Sequence, residues 1–289
     1  MLYATYDTTI GIEIKGHLIN NLRFADDIVL IADTERNLQT LVDKVYRSSS
    51  NFGLKINITK TEVQDISKQP QPLNITINGE TLKQTEKFTY LGGIISQSGT
   101  CSDEVQHRIG KALGVVKSLN KIWSAKDISC PTKIELYRVL VLSILLYGAE
   151  TWTLKKIDEN RLNTFEMTCL RKIMGVTRLD KIRNDAIRKS LNIEETINDR
   201  VATKRLRYFG HVNRMHQDRN PQIVIHGNIH GNRPRGRPPK KWIDCIKMDC
   251  STRNISSLAT ATRLTRDREK WRAVVKQKPS HIPSMVWTA

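Results

Sequence analysis

Acid is scarce in this sequence. Its 289 residues carry 29 Asp and Glu against 47 Lys and Arg, a formal net charge of +18. Charge on this scale attracts polyanions, nucleic acid first and an anionic membrane surface second. Cysteine is also sparse, with Cys101, Cys130, Cys169, Cys245 and Cys250 odd in number and no CxxC pair among them. That pattern argues against a disulfide framework and fits reduced thiols inside a cell, in nucleus and cytoplasm. The first residues lack a basic start followed by an apolar core, so no secretory signal is read there. No apolar run approaches the roughly 20 residues that span a bilayer. The longest, VLVLSILLYGA at 139–149, reads as a buried helix, and no membrane partner is expected. Internal repeats are missing too.

What is present suits a globular protein. Hydrophobic residues make up 39% of the chain, which is long enough for one large domain or two to three small ones. A strand-like GIEIKG opens the readable part. A helix is expected over Thr34–Ser50, where Leu38, Leu41, Val42, Val45 and Tyr46 recur at three- and four-residue steps before Phe52 and Gly53 close it. Short strands follow in LKINI, in LNITINGETL with an Asn78-Gly79 hairpin turn, and in KFTYLGGIIS. From Ser102, a plausible N-cap, the pattern turns helical, with Val105, Ile109, Leu113, Val116 and Leu119 on one stripe and Pro131 in the first turn of the next helix. Two or three helices run from Asp158 to about Met215. After the break HQDRNP and the segment NIHGNRPRGRPPKKW, two short helices are expected to finish the chain. The fold class is therefore α+β, divided at 1–100, 101–216 and 217–289.

Residues 20–32 read NNLRFADDIVLIA. A strand sends neighbouring side chains to opposite faces, so the adjacent carboxylates of Asp26 and Asp27 can serve one site only where the chain turns. The flanking hydrophobic arms meet that condition. Two carboxylates so close repel one another and call for a cation, and hard oxygen donors suit Mg²⁺. From the dipeptide alone, a solvated polar turn is the simpler reading.

The surrounding blocks change that balance. FADD, preceded by INNLR and followed by IVLIA, resembles the catalytic palm hairpin of the reverse transcriptases of non-LTR (LINE-type) retrotransposons. GLKINITKTE at 53–62, FTYLGGII at 88–95, LLYGAETW at 145–152, LRKIMGV at 170–176, LRYFGHVNRM at 206–215 and GNRPRGRPPKKWIDCI at 231–246 are similar to later blocks of that family, in the same order.

The resemblance implies a partial polymerase palm, an antiparallel sheet with a helix, followed by a helical thumb and a basic C-terminal region. It implies an RNA-directed DNA polymerase that copies an RNA template from a DNA primer or target, using dNTPs and Mg²⁺. Asp26 would be the principal metal ligand and Asp27 a more peripheral one. Phe24 would back the primer end, Lys60 would lie near the nucleotide phosphates, and Tyr90, Leu91 and Gly92 would belong to the primer grip. Lys60 reads equally well as a solvated lysine, and the grip residues as core and turn. A further aspartate expected upstream of the hairpin is missing, since only 25 residues precede Asp26 and Asp7 and Glu13 lack its context. The chain is accordingly expected to be a 5′-truncated copy or partial gene product, inactive alone. A non-catalytic basic remnant that binds nucleic acid is the alternative, and a reading frame with no functional product a third.

The C-terminal half is read for nucleic-acid contact. Lys204, Arg205, Arg207 and Arg214 surround Tyr208 and Phe209, a pairing suited to gripping phosphates while rings stack on bases. An amphipathic helix with Leu206, Phe209 and Val212 in a core is the plainer account of the aromatics. Arg233, Arg235, Arg237, Lys240 and Lys241 form a basic stretch free of acid, whose RGRP resembles an AT-hook for a narrow minor groove. His226, His230, Cys245 and Cys250 match no knuckle spacing, and no zinc is expected.

Overall fold

The computed structural model describes residues 9–67, 69–227 and 240–279. Asp7, His230, Arg233, Arg235 and Arg237 lie outside the described residues.

The chain begins with two tight hairpins. β1 (Ile12–Ile14) pairs antiparallel with β2 (His17–Ile19), and β3 (Asn21–Phe24) with β4 (Asp27–Leu30). α1 (Glu35–Asn51) follows, its first turn capped by the Thr34 side chain, which accepts from the Asn37 N–H. Leu41, Val42 and Val45 form its buried stripe, close to the expected span. The expected strand LKINI is not one. Asn57 takes over the backbone there, its side chain accepting from the Lys60 N–H at 3.2 Å and its carbonyl from Thr61 at 3.1 Å. These bonds close a 3₁₀ turn, Ile58–Lys60, in place of a ladder.

β5 (Glu62–Val63), β6 (Thr76–Ile77), β7 (Glu80–Thr81) and β8 (Lys83–Gln84) follow. β6 and β7 form the expected hairpin around Asn78 and Gly79, both in the left-handed region at φ 52° and 80°. KFTYLGGIIS proves to be a hairpin as well, β9 (Lys87–Tyr90) and β10 (Gly93–Ser96), broken by Leu91 at φ 49° and Gly92 at φ 76°.

The rest is helical. α2 (Ser102–Ser118) starts after Cys101 as N-cap, because Ser102 Oγ donates to the buried Asp158 at 2.8 Å and does not cap. α3 (Asn120–Ser124) is short. α4 (Cys130–Leu136), with Pro131 in its first turn, runs into a wider π-type stretch at Tyr137–Leu142 and a last turn, α5 (Ser143–Leu145). That segment is only half buried: Val141 and Leu145 are fully covered, while Val139 and Tyr147 are exposed. α6 (Lys156–Met174), α7 (Asn184–Ser190) and α8 (Ile197–Asn213) come next, then α9 (Asn220–His226). The end holds three helices where two were expected: α10 (Trp242–Ser251), α11 (Leu258–Thr265) and α12 (Arg268–Lys276). The extra boundary is set by Asp267, whose carboxylate accepts from the Glu269 and Lys270 N–H groups and restarts the helix.

These elements group into two compact units, 1–90 with 95–99 and 215–238, and 91–94 with 100–214 and 239–289. Together they make an α+β protein, small two-stranded sheets, antiparallel except for the parallel pair β5–β8, followed by helices. No described helix is long and apolar enough to cross a membrane.

In the first unit α1 lies on the strands through Val42, Val63, Ile75, Ile77 and Leu82. The Gln39 amide fastens it there, donating to the Thr76 carbonyl and accepting from the Thr76 N–H, both at 2.8 Å. The side chain thereby acts as a missing strand neighbour for an otherwise bare edge. A second core, Ile14, Ile19 and Ile223, supports the first hairpins.

The second unit has a large helical core around Leu145, Trp152, Leu162, Leu170, Ile187 and Val201. A smaller core sets Leu206 and Phe209 of α8 against Ile246, Cys250, Ala261 and Trp271. Gly210 makes this approach possible. The Trp271 indole crosses α8 there and donates to the Leu206 carbonyl at 2.9 Å, and a Cβ at 210 would overlap the ring. Gly210→Ala should therefore destabilise this unit by about 2 kcal/mol or more, measured by urea denaturation. An unchanged midpoint would contradict the close crossing.

Candidate nucleic-acid and metal site

The aspartate hairpin is built by its turn. Phe24 pairs with Asp27 across the ladder, so Ala25 and Asp26 are the two turn residues. Three other hairpins place Lys15-Gly16, Asn78-Gly79 and Leu91-Gly92 in the same slots. Here Asp26 occupies the position that glycine holds in those three. Ala25 enters the left-handed region at φ 51°, which costs an L-residue roughly 1–2 kcal/mol. The outcome is a carboxylate at the tip of the turn and a second at the first strand position.

Both carboxylates are exposed, and among the described residues neither side chain takes part in a hydrogen bond or ion pair. Phe24 beside them is 61% exposed, a large apolar ring left in water. Tyr90 is near enough to sense Asp27: partial burial raises its hydroxyl pKa first, and the charge of Asp27 adds to the rise. Asp27 and Tyr90 are thus brought together. Lys60 is exposed at the end of its 3₁₀ turn and has no direct bond to either aspartate.

Exposed, unpartnered carboxylates suit Mg²⁺, which commonly takes one or two of them and completes its shell with water and phosphate. The fit is partial. Among the described residues no group of three His, Cys, Asp or Glu side chains is placed to hold a metal ion. The expected upstream aspartate has no counterpart near the hairpin among them.

Gly92 is explained by its own turn. Its carbonyl accepts from an Arg108 terminal nitrogen, and the Tyr147 hydroxyl donates to the Leu91 carbonyl at 2.9 Å. Arg108 lies 4.4 Å from the centre of the Tyr147 ring, while its Nε donates to Glu104, which in turn accepts from the Ile94 N–H at 2.6 Å. Glu104, Arg108 and Tyr147 hold this turn, and the sequence reading missed all three. The i,i+4 spacing of Glu104 and Arg108 on α2 was the available signal.

The basic residues of α8 divide by exposure. Arg205 is corrected: it is 7% exposed and cannot reach a phosphate. Its Nε and a terminal nitrogen donate to the two oxygens of Asp249 at 2.8 and 2.9 Å, and the remaining nitrogen reaches the Trp152 carbonyl. Burial works against its charge, but the hydrogen bond and charge of Asp249 outweigh it and keep the guanidinium firmly protonated. Arg214 donates to the Thr265 carbonyl at 2.8 Å, at the end of α11. Lys204 lies 3.6 Å from Glu150 and is part exposed, while Arg207 is exposed and unpaired. Phe209 is fully buried and serves packing, while the half-buried Tyr208 stands edge-on to Trp242.

Lys240 and Lys241 are exposed at the start of α10, Lys240 donating to the Leu154 carbonyl. Cys245 and Cys250 are buried on the core side of that helix, and burial pushes the Cys250 thiol up to about 12.

Residues 3–95 match the reverse transcriptase (RNA-dependent DNA polymerase) family. An uncharacterized transposon-derived protein of Caenorhabditis elegans is 25% identical over 93% of this chain and 99% of its own. The Pol polyprotein of the type-2 retrotransposable element R2DM of Drosophila melanogaster is 27% identical over 55% of this chain. The RNA-directed DNA polymerase of mobile element jockey of Drosophila funebris is 24% identical over 53%. The matches span only 16% and 18% of those two longer proteins. No solved structure matches.

Two expectations follow from this geometry. Arg205→Ala leaves Asp249 buried and unpaired and should cost roughly 3–5 kcal/mol of stability, whereas Arg207→Ala should leave the thermal midpoint within about 1 °C, since an isolated surface change costs little. Ala25→Gly removes the left-handed strain against a smaller entropic cost of glycine and should stabilise by up to about 1 kcal/mol. Thermal melts of the three variants check both, and a destabilised Ala25→Gly protein would contradict the turn geometry.

Proposed function

We propose that the chain belongs to the reverse transcriptases of non-LTR retrotransposons and supplies the palm hairpin, thumb and C-terminal part of an RNA-directed DNA polymerase. The observation that carries this reading is the exposed, unpartnered Asp26–Asp27 pair at a two-residue turn, inside the segment that matches the family. Its substrates would be an RNA template, a DNA primer or target, and dNTPs. Asp26 and Asp27 would offer oxygen ligands to Mg²⁺, which in such enzymes clamps the attacking and leaving oxygens of phosphoryl transfer. Phe24 would support the primer end, and the turn at Leu91–Gly92, with Tyr90 before it, would grip the primer strand. Lys60 would stand ready for the nucleotide phosphates.

Two carboxylates alone cannot hold two ions in working geometry. The described residues therefore make a half-site, and polymerisation requires a further carboxylate beyond them. By itself the chain acts as a nucleic-acid-binding protein. Its net charge of +18 and its exposed Arg207, Lys240 and Lys241, with the basic 233–237 stretch, supply sequence-independent attraction to phosphate.

Mn²⁺ titration followed by NMR tests the half-site, since a bound paramagnetic ion broadens nearby signals. Residues 24–28 should broaden first, and Asp26→Asn with Asp27→Asn should abolish the effect while leaving oligonucleotide affinity unchanged. Uniform broadening elsewhere would remove the metal assignment. Extension of a primed RNA template by the chain alone, with Mg²⁺ and dNTPs, should be undetectable, and measurable extension would refute the half-site.

A further inference from the structure

The second unit contains a cationic cavity that the polymerase reading leaves unused. It lies where α6 runs into the 175–183 loop and α7, and its volume is about 460 Å³. Arg171, Arg178, Lys181 and Arg188 line it, and its lining includes no carboxylate and no aromatic ring.

The cations are not neutralised in equal measure. Arg188 donates to the buried Glu166 at 2.6 Å. Asp180, the acid closest in sequence to the loop cations, turns one oxygen, Oδ2, to the Thr177 N–H and hydroxyl at 2.6 and 2.9 Å and forms no ion pair with those cations. Arg171, Arg178 and Lys181 have no ion-pair partner among the described residues. Arg171 is nonetheless fixed in place, donating to the Asn184 side chain at 2.8 Å and the Ile182 carbonyl at 3.3 Å.

A second observation points to a ligand. The Nε atoms of Arg171 and Arg188 and the Oδ1 of Asn163 are buried without any hydrogen-bond partner in the protein, and all three side chains line the cavity. Buried polar atoms in a folded protein are rarely left without partners. Guanidiniums with unfilled hydrogen-bonding capacity around an acid-free cavity, under excess positive charge, describe a site for a multidentate oxyanion.

We propose that this cavity binds a backbone phosphate of a nucleic-acid strand. Planar guanidiniums favour phosphate, whose oxygens can take several N–H donors at once. The volume exceeds that of a bare phosphate and leaves space for the attached sugar, which Asn163 and Asn184 could meet with polar contacts. With no ring to stack a base, recognition falls on the backbone and is independent of sequence. The choice of a strand over free phosphate rests on the nucleic-acid reading above; the phosphate chemistry does not.

Arg178 and Lys181 are exposed and can be reversed without disturbing the core, unlike Arg171 and Arg188. The test compares Arg178→Glu/Lys181→Glu with a charge-matched control on exposed α2 positions, Lys111→Glu/Lys117→Glu. Binding of a labelled single-stranded RNA is followed by fluorescence anisotropy through a salt series, with circular dichroism confirming the fold.

The cavity pair should weaken binding about tenfold or more at 0.1 M salt and flatten the salt slope by about one; the control should change affinity less than about threefold. Equal losses in the two variants would overturn the proposal. So would saturation of the wild-type cavity by micromolar inorganic phosphate or AMP, seen as a thermal shift, with RNA affinity unaffected by the cavity pair. A wild-type chain that fails to bind RNA even at low salt would sink the nucleic-acid reading itself, a result distinct from either of these.

Discussion

A turn of two residues decides what this protein can offer to a cation. Strand geometry alternates side chains between faces, so neighbouring carboxylates in a ladder would be directed apart. Pairing Phe24 with Asp27 shortens the connection to Ala25 and Asp26, and the first carboxylate leaves the ladder altogether. The cost is borne by Ala25, held at φ 51° without glycine's freedom. Local strain of this kind persists only where the surrounding ladder imposes it, and β3 and β4 continue the pairing as far as Asn21 and Leu30.

Positive charge on this chain has two fates. Some of it is structural. Arg205 and Asp249 bind α8 to α10 through a buried bidentate pair, and Arg108 with Glu104 secures the Leu91–Gly92 turn. In both pairs a further nitrogen of the arginine reaches a backbone carbonyl, so the cost of burying the ions is met by hydrogen bonds as well as by attraction. Other cations, Arg207, Arg178 and Lys181 in water and Arg171 beside the cavity, have no ion-pair partner among the described residues. Only this second group can contribute to long-range attraction for a polyanion, because a paired charge has little field left at a distance.

Local signals were legible where one residue type controls one conformation. The helix starting after Thr34, the Asn78-Gly79 hairpin and the position of Pro131 follow from capping, left-handed glycine and fixed proline geometry. Readings failed where a tertiary partner competed for the same group. Ser102 resembles an N-cap, yet its hydroxyl goes to Asp158, 56 residues away in the chain. LKINI has strand-like alternation, yet the Asn57 side chain draws the backbone into a turn. The aromatic and basic pattern of α8 fits a nucleic-acid face or a packed helix equally well, and only the core around Phe209 separates them.

The sequence by itself determined the α+β order, the acidic turn and the likeness of residues 3–95 to reverse transcriptases, since these rest on chemistry carried within a few consecutive residues. Which arginines are free was decided by the tertiary structure alone. Exposure and ion pairing depend on residues far away in the chain, such as Asp249 for Arg205, and no local pattern marks them. The cavity lined by Arg171, Arg178, Lys181 and Arg188 belongs to the same category. Those side chains converge because α6, its loop and α7 pack together, and their spacing in sequence does not announce it.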